Sequence, residues 1–385
     1  GSSLDQSSAN GALVTAHTIA LSGLTPSTTY FFQITSTDAA SNAATSAIQS
    51  FTTDAPSINV VDDSAADFQG GSGCSVAANG SITLAASVSN EFEGGPAMPA
   101  GWQSLPWSFA PGGTATVTGG ALVVDGARAR HDNAAGPGQW LEFGATFAAG
   151  AANQHIGFAG GDDSETTNVG MFNSGPWIIF STMGGSGLFA RTNAGGTLTD
   201  TPLGTTYLNS PHVYRVEWDA AAVRFFVDGA VVHSQSTAIP GPMRAGASDI
   251  AVGNPLSVDW LRMGPYASPC TFESRIFDAG AAVDWLHLFA DVVQPPSTAI
   301  TFETRTGNVP AADSSWSLWS VVGGTNIGSP DGRFIQYRAT LESSDGVATP
   351  SLERVEMTFA APAANDAPVA QDDSYSVGHG ATLAV

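Results

Sequence analysis

The chain reads as all-β, a tandem row of sandwiches, and three observations carry that reading. Its 385 residues include 44 Gly and 22 Pro, set among stretches rich in Ser and Thr. No long stretch places apolar residues at helical spacing, so many short strands joined by turns are predicted. And residues 212–235, HVYRVEWDAAAVRFFVDGAVVHSQ, spell successive antiparallel strands.

That stretch sets the centre of the chain. Successive strand residues face opposite sides, so Tyr214, Val216 and Trp218 form one apolar stripe and Val213, Arg215 and Glu217 the other face. Asp219-Ala220-Ala221 turns the chain. Val223, Phe225 and Val227 make a second stripe. Asp228-Gly229 is a strong hairpin signal, because a type I′ turn needs positive φ at both central residues. Val231 and Val232 then begin the return strand.

Charge narrows the function. The 34 acidic residues face 12 basic ones, all of them Arg, for a net charge of −22. Nucleic acid and anionic membrane need cationic patches and are not expected as partners. Without Lys there is no Schiff-base chemistry and no phosphate-binding P-loop. No run of 18 apolar residues occurs, so no membrane insertion is expected. The opening GSSLDQSSANG does not read as a signal peptide. Two cysteines cannot make a four-ligand zinc site. A Cys74–Cys270 disulfide in an extracellular setting is the expectation, with two separate buried thiols as the alternative.

The pattern Y-R-V-E-W … V-R-F-F-V-D-G-A-V-V-H resembles the central hairpins of concanavalin A-like jelly rolls, the laminin-G and laminarinase-like sandwiches. The resemblance implies such a jelly roll over residues 88–268. Residues 1–56 resemble the back half of a fibronectin type III domain, on Leu24, Pro26 and Tyr30, which match its L-x-P-x-x-x-Y corner. Tyr30, Phe32 and Ile34 then alternate inward. A half sandwich cannot bury its own face, so an N-terminal extension or partner strands are expected. Residues 365–385, with Asn365, Asp366, Asp372 and Asp373, resemble the opening of cadherin-like repeats of bacterial surface proteins. Residues 270–360 form a further β unit, in which Ile335, Tyr337, Ala339 and Leu341 share one face. This unit resembles small jelly-roll modules of such surface proteins. Trp316-Ser317-Leu318-Trp319-Ser320 fits a W-S-x-W-S pattern known from cytokine receptors and reads as ordinary packing. Residues 58–87 have no sheet of their own. They are expected to join 270–360 as a discontinuous domain, stapled by Cys74 and Cys270 around the inserted jelly roll.

Catalytic constellations were sought on the jelly roll. Laminarinase-like enzymes carry E-x-D-x-x-E on one strand, which places acid and nucleophile in one cleft. The strands where that motif should fall read NQHIGFAG and PWIIFST, and the chain has only ten Glu. Glu91 and Glu93 sit at the domain entrance; Glu142 and Glu165 stand alone. A polysaccharide lyase would need Arg, His and an amide around a sugar carboxylate. Arg128, Arg130, Gln154 and His155 could be read so, but Gln154 and His155 are adjacent and face opposite sides. No G-x-S-x-G or H-E-x-x-H occurs.

For ligands, Asn90-Glu91-Phe92 and residues 258–263, VDWLRM, resemble the paired ends of the laminarinase-like group, which implies a structural calcium at Glu91 and Asp259 with carbonyls near Gly94-Gly95. Asp162-Asp163 reads as a solvated acidic loop. Sugar recognition needs flat aromatics with polar neighbours. Trp177, Arg191, Asn193, His155 and Asn173 are the candidates, with Trp177 as a core residue the alternative. Trp102 and Trp107 read as core. The expectation is a non-catalytic, extracellular, adhesin-like segment, neighbouring modules of one longer chain, whose jelly roll recognises a polysaccharide or cell-surface glycan. The alternatives are a structural spacer and a polysaccharide-degrading enzyme, glycosidase or lyase.

Overall fold

The computed structural model describes residues 28–52, 57–69, 73–77, 79–151, 153–161 and 175–360, with Leu21, Leu24 and Phe172 as single positions. The described secondary structure is β throughout, and no described helix is long and apolar enough to cross a membrane.

Two stacked sheets form the jelly roll. One runs, in spatial order, Thr114–Thr118, Ala121–Asp125, Leu256–Tyr266, Gln139–Thr146, His212–Trp218, Val223–Val227 and Ala230–Gln235, with Ala86–Asn90 also pairing to Leu256–Tyr266. The other runs Thr197–Gly204, Leu188–Ala194, Trp177–Thr182, Gln154–Ala159, Met243–Asp249, Ala127–Ala135 and Trp102–Pro106. Alternation decides which side chains meet between them. Tyr214, Val216, Trp218, Val223 and Phe225 from the first sheet pack with Ile156, Phe158, Ile178 and Phe180 from the second. Truncating one such aromatic to Ala costs about 3–5 kcal/mol in a packed core. The Asp228-Gly229 turn takes φ of 50° and 79°, the left-handed pair that its sequence predicts.

A second core lies between two further sheets. Ser57–Asp62 and Ile82–Leu84 both pair with Ser351–Ala360, and Cys74–Val76 pairs with Ile82–Leu84. The facing sheet is built on Gly332–Ser343, which pairs with Cys270–Glu273, Phe277–Val283 and Thr298–Gly307. Phe68, Ile82 and Leu84 share this core with Phe272, Tyr337 and Leu341. So residues 57–84 have their strand partners in the C-terminal sheets. Cys74 and Cys270 are disulfide-bonded, with Cα atoms 5.3 Å apart. The two sandwiches meet where the Trp140 ring lies tilted against Tyr266 at 4.4 Å and donates to the Gly346 carbonyl at 2.9 Å.

Trp316 and Trp319 pack as expected, with arginines over their rings. Arg305 lies 5.6 Å from one ring and 4.4 Å from the other, and Arg338 caps Trp319 at 4.6 Å, so cations and rings interleave. Near the N-terminus, Thr29–Phe32 pairs with Gln49–Thr52 and Tyr30 stacks on Phe51 at 5.9 Å. Ile34 is 58% exposed. Pro26 and residues 365–385 lie outside the described residues.

Candidate functional site

The outer face of the seven-stranded sheet is fixed by register. Ala129, Ala247, Ile156, Phe180 and Ala190 point into the core. Their strand neighbours therefore point out, and they form rows across the sheet. Arg128, Ser248, His155 and Ser181 make one row. Arg130, Gly246, Gly157, Ile179 and Arg191 make the next. Arg244, Ala159, Trp177 and Asn193 make a third. Gly157 is required by close approach: a Cβ there would fall 2.1 Å from the Ile178 carbonyl oxygen.

His155 is 8% exposed and lines a pocket of about 240 Å³ with Trp107, Phe109, Asn153, Phe172 and Ile250. Its Nδ1 lies 2.8 Å from Ser181 Oγ. Burial first, and the positive charge of Arg191 second, push its pKa down to about 3, so the imidazole is neutral at physiological pH. Trp107 donates to Ser248 Oγ at 3.1 Å, carries the Arg128 guanidinium 4.6 Å from its ring, and stacks on Phe109 at 5.3 Å. Phe172 stands 5.7 Å from the His155 ring.

Four of the five expected sugar-binding candidates share this face. Trp177 is 6% exposed but belongs to the outer side, in a small cluster with Ala159 and Ile179 apart from the main core. The Arg191 guanidinium lies 5.0 Å from its ring and pairs with Asp200 at 2.6 Å. Asn193 donates to the Gly175 carbonyl and accepts from the Gly196 amide, so it braces the adjoining turns. Asn173, Asp162, Asp163 and Glu165 lie outside the described residues. Trp107, expected as core, instead lines the pocket despite its burial. Phe109, Phe172 and Ser181 were missed: each is a residue type common in turns and strands, and only cross-strand register places them beside His155.

Gln154 and His155 do face opposite sides. Gln154 is fully buried and donates to Asp249 at 2.8 Å. Burial pushes the Asp249 carboxyl up to about 6, but Asp249 points away from the His155 row, as its neighbour Ser248 shows. Glu142 lies on the other sheet near Arg215, at 3.9 Å, with its pKa raised by burial. No described residue on the outer face pairs two carboxylates as the E-x-D-x-x-E strand would.

The two expected calcium ligands each have another partner. Glu91 Oε1 accepts from Arg262 at 2.9 Å, and Asp259 accepts from Ser257 while burial raises its pKa. Among the described residues no group of three or more His, Cys, Asp or Glu side chains converges. Glu91 is thus engaged by a guanidinium and Asp259 by a hydroxyl.

No protein-family model matches the chain, and no curated protein does. Solved structures do resemble it. A Bacillus licheniformis β-glucanase is 15% identical, covers 46% of this chain and 96% of its own, with a TM-score of 0.35. A Rhodothermus marinus laminarinase is 16% identical over 46% of this chain and 96% of its own, with a TM-score of 0.37. A Mycobacterium tuberculosis protein described as a pseudo β-1,3-glucanase is 17% identical over 48% and 99%, with a TM-score of 0.33. At these identities the likeness is one of fold, that of the jelly roll. It nonetheless corrects the expectation of a non-catalytic, adhesin-like, non-enzymatic segment, because the matching chains include β-glucanases and laminarinases. That reading is withdrawn.

Proposed function

We propose that the jelly roll degrades a polysaccharide laid across the outer face of its seven-stranded sheet. The observation that carries the reading is the pocket at His155. It joins a neutral imidazole, tied through Nδ1 to Ser181, with the stacked rings of Trp107 and Phe109. Aromatic rings suit the apolar faces of sugars, and the polar groups around them suit hydroxyls. Ser181 Oγ donates to the Thr182 carbonyl, so Nδ1 keeps the ring proton and Nε2 is the nitrogen left to take one. In this reading the proton-accepting role belongs to His155. Trp177, Arg191 and Asn193 extend the binding surface along the sheet. The fibronectin-like and cadherin-like ends support an extracellular, multi-module setting for this activity.

The test is digestion of a polysaccharide panel by the protein, read both as new reducing ends and as absorbance of an unsaturated uronate. Chain shortening of one polymer is expected. Unchanged polymer length across the panel overturns the reading.

A further inference from the structure

We propose that Ser210, His212 and Asp228 form a second site on the jelly roll, one that hydrolyses carboxylic esters through the Ser210 hydroxyl. It is built on the other sheet from the one that holds His155, and it does not rest on the polysaccharide reading.

Strand pairing makes the arrangement. His212 opens the strand His212–Trp218, and Asp228 follows Val223–Val227, which pairs with it, so the hairpin sets the two side by side. The Asp228 N–H donates to the Val213 carbonyl at 2.8 Å, and the Val213 N–H donates back to Asp228 Oδ1 at 3.0 Å. The other carboxylate oxygen, Oδ2, lies 2.8 Å from His212 Nδ1. Across the ring, His212 Nε2 lies 3.0 Å from Ser210 Oγ. Pro211 joins Ser210 to His212, and its ring fixes φ between them. The loop that carries Ser210 is tied down. The Asn209 N–H donates to the Phe147 carbonyl at 2.8 Å, and Tyr214 Oη donates to the Tyr207 carbonyl at 3.1 Å. Tyr207 and Tyr214 stand edge-on to the imidazole at 5.4 and 6.2 Å.

The contacts run in the order nucleophile, base and orienting carboxylate. A carboxylate only accepts, and the Val213 amide holds Asp228 below the usual carboxylate range. Nδ1 therefore keeps its proton toward Asp228, and in the neutral ring Nε2 accepts from the Ser210 hydroxyl. His155 differs here, because the Ser181 hydroxyl beside it gives its proton to the Thr182 carbonyl. When Ser210 Oγ attacks an ester carbonyl, its proton passes to Nε2. Nε2 gives that proton to the departing alcohol as the C–O bond breaks, and an acyl-serine remains. Water, deprotonated by the same nitrogen, then attacks the acyl carbon and releases the acid and free Ser210. Ester and water are consumed, and no other reactant enters. Asn209 brings a donor on the same loop. Its Oδ1 accepts from the Ala149 amide at 2.8 Å, which leaves its side-chain NH2 for the developing oxyanion. The His212 side chain is 19% exposed and that of Asp228 53%, so the site is open. An open site suits a short acyl group borne on a larger alcohol better than a peptide strand, which needs a cleft.

The test treats the whole protein with p-nitrophenyl acetate and, separately, with a fluorophosphonate, which labels activated serine hydroxyls. Mass spectrometry should find one adduct, on the peptide that carries Ser210, and p-nitrophenol should be released steadily. Ser210→Ala should abolish the adduct and slow that release by at least about 100-fold, and His212→Gln should do the same. Asp228→Asn keeps a residue that tolerates the positive φ of 50° at this turn. It should slow labelling by at least about tenfold, because the ring loses the partner that fixes its proton on Nδ1. Ser344→Ala, on an exposed turn of the second sandwich, should leave both readings unchanged. Absence of a Ser210 adduct on the unaltered protein, or equal ester release by Ser210→Ala, overturns the proposal. Neither of these two readings depends on His212→Gln or Asp228→Asn folding.

Discussion

Nδ1 of His155 lies 2.8 Å from Ser181 Oγ on the neighbouring strand, and Arg191 Nη1 reaches the same hydroxyl at 3.4 Å. This three-residue contact buries an imidazole beside a cation, and it has a pH signature. The unfolded imidazole takes a proton near pH 6.5, whereas the folded one resists until about 3. Between those values the unfolded state binds more protons, so stability is full above pH 6.5 and falls as pH drops. The slope reaches about 1.4 kcal/mol per pH unit. Denaturant midpoints of the natural chain should therefore drop more steeply through this window than those of His155→Gln. Parallel curves would show that the imidazole is not held neutral.

Phe109 separates binding from folding. It is 60% exposed yet stacks on Trp107 at the pocket. Phe109→Ala should change stability by no more than about 0.5 kcal/mol, as exposed substitutions do. It should raise KM for the polymer severalfold with kcat little changed. An unaltered KM would place the sugar elsewhere.

The Cys74–Cys270 bond spans 196 residues. Chain entropy assigns such a loop up to roughly 5 kcal/mol, and less where the open chain keeps structure. Changing both cysteines to Ser should lower the thermal midpoint of the second sandwich, which gains residues 57–84 through that bond. A midpoint independent of reductant would contradict this.

Asp62 is fully buried and accepts from Tyr337 Oη at 2.9 Å and Arg275 Nε at 2.9 Å. Burial raises its pKa, and the two donors oppose that rise. Tyr337→Phe removes one donor to the charged form and should cost about 1–3 kcal/mol at neutral pH. The cost should shrink in acid, once Asp62 is protonated and its charge no longer needs the phenol. A loss independent of pH would mean that the ring's packing, not its hydroxyl, was at stake.

Local alternation made the strands legible, and register made the site. Tyr214, Val216 and Trp218 announce their face from sequence because strand period is two. His155, Arg128 and Arg191 are far apart in sequence, and nothing local says that three different strands bring them to one face. Trp107 misleads for a related reason. A large aromatic reads as core, yet here its edge is buried against Ser248 and its face is covered by Arg128 and Phe109. The interleaving of Trp316 and Trp319 with Arg305 and Arg338 likewise depends on strand pairing, since Thr298–Gly307 and Gly332–Ser343 supply the cations. The Cys74–Cys270 pair was legible because the chain offers no other choice. The Glu91–Arg262 ion pair was not, because the resemblance directed attention to a cation and away from the arginine one strand over.

The central claim is that His155 carries polymer cleavage on the outer sheet face, and the direct measurement is the initial rate of new reducing ends from the polymer bound most tightly. The natural chain should shorten that polymer. His155→Gln, which keeps a polar side chain beside Ser181, should lose at least 100-fold in kcat, the usual contribution of a general acid–base, with binding retained. Equal rates from the two proteins, or no chain shortening by either, would contradict the account.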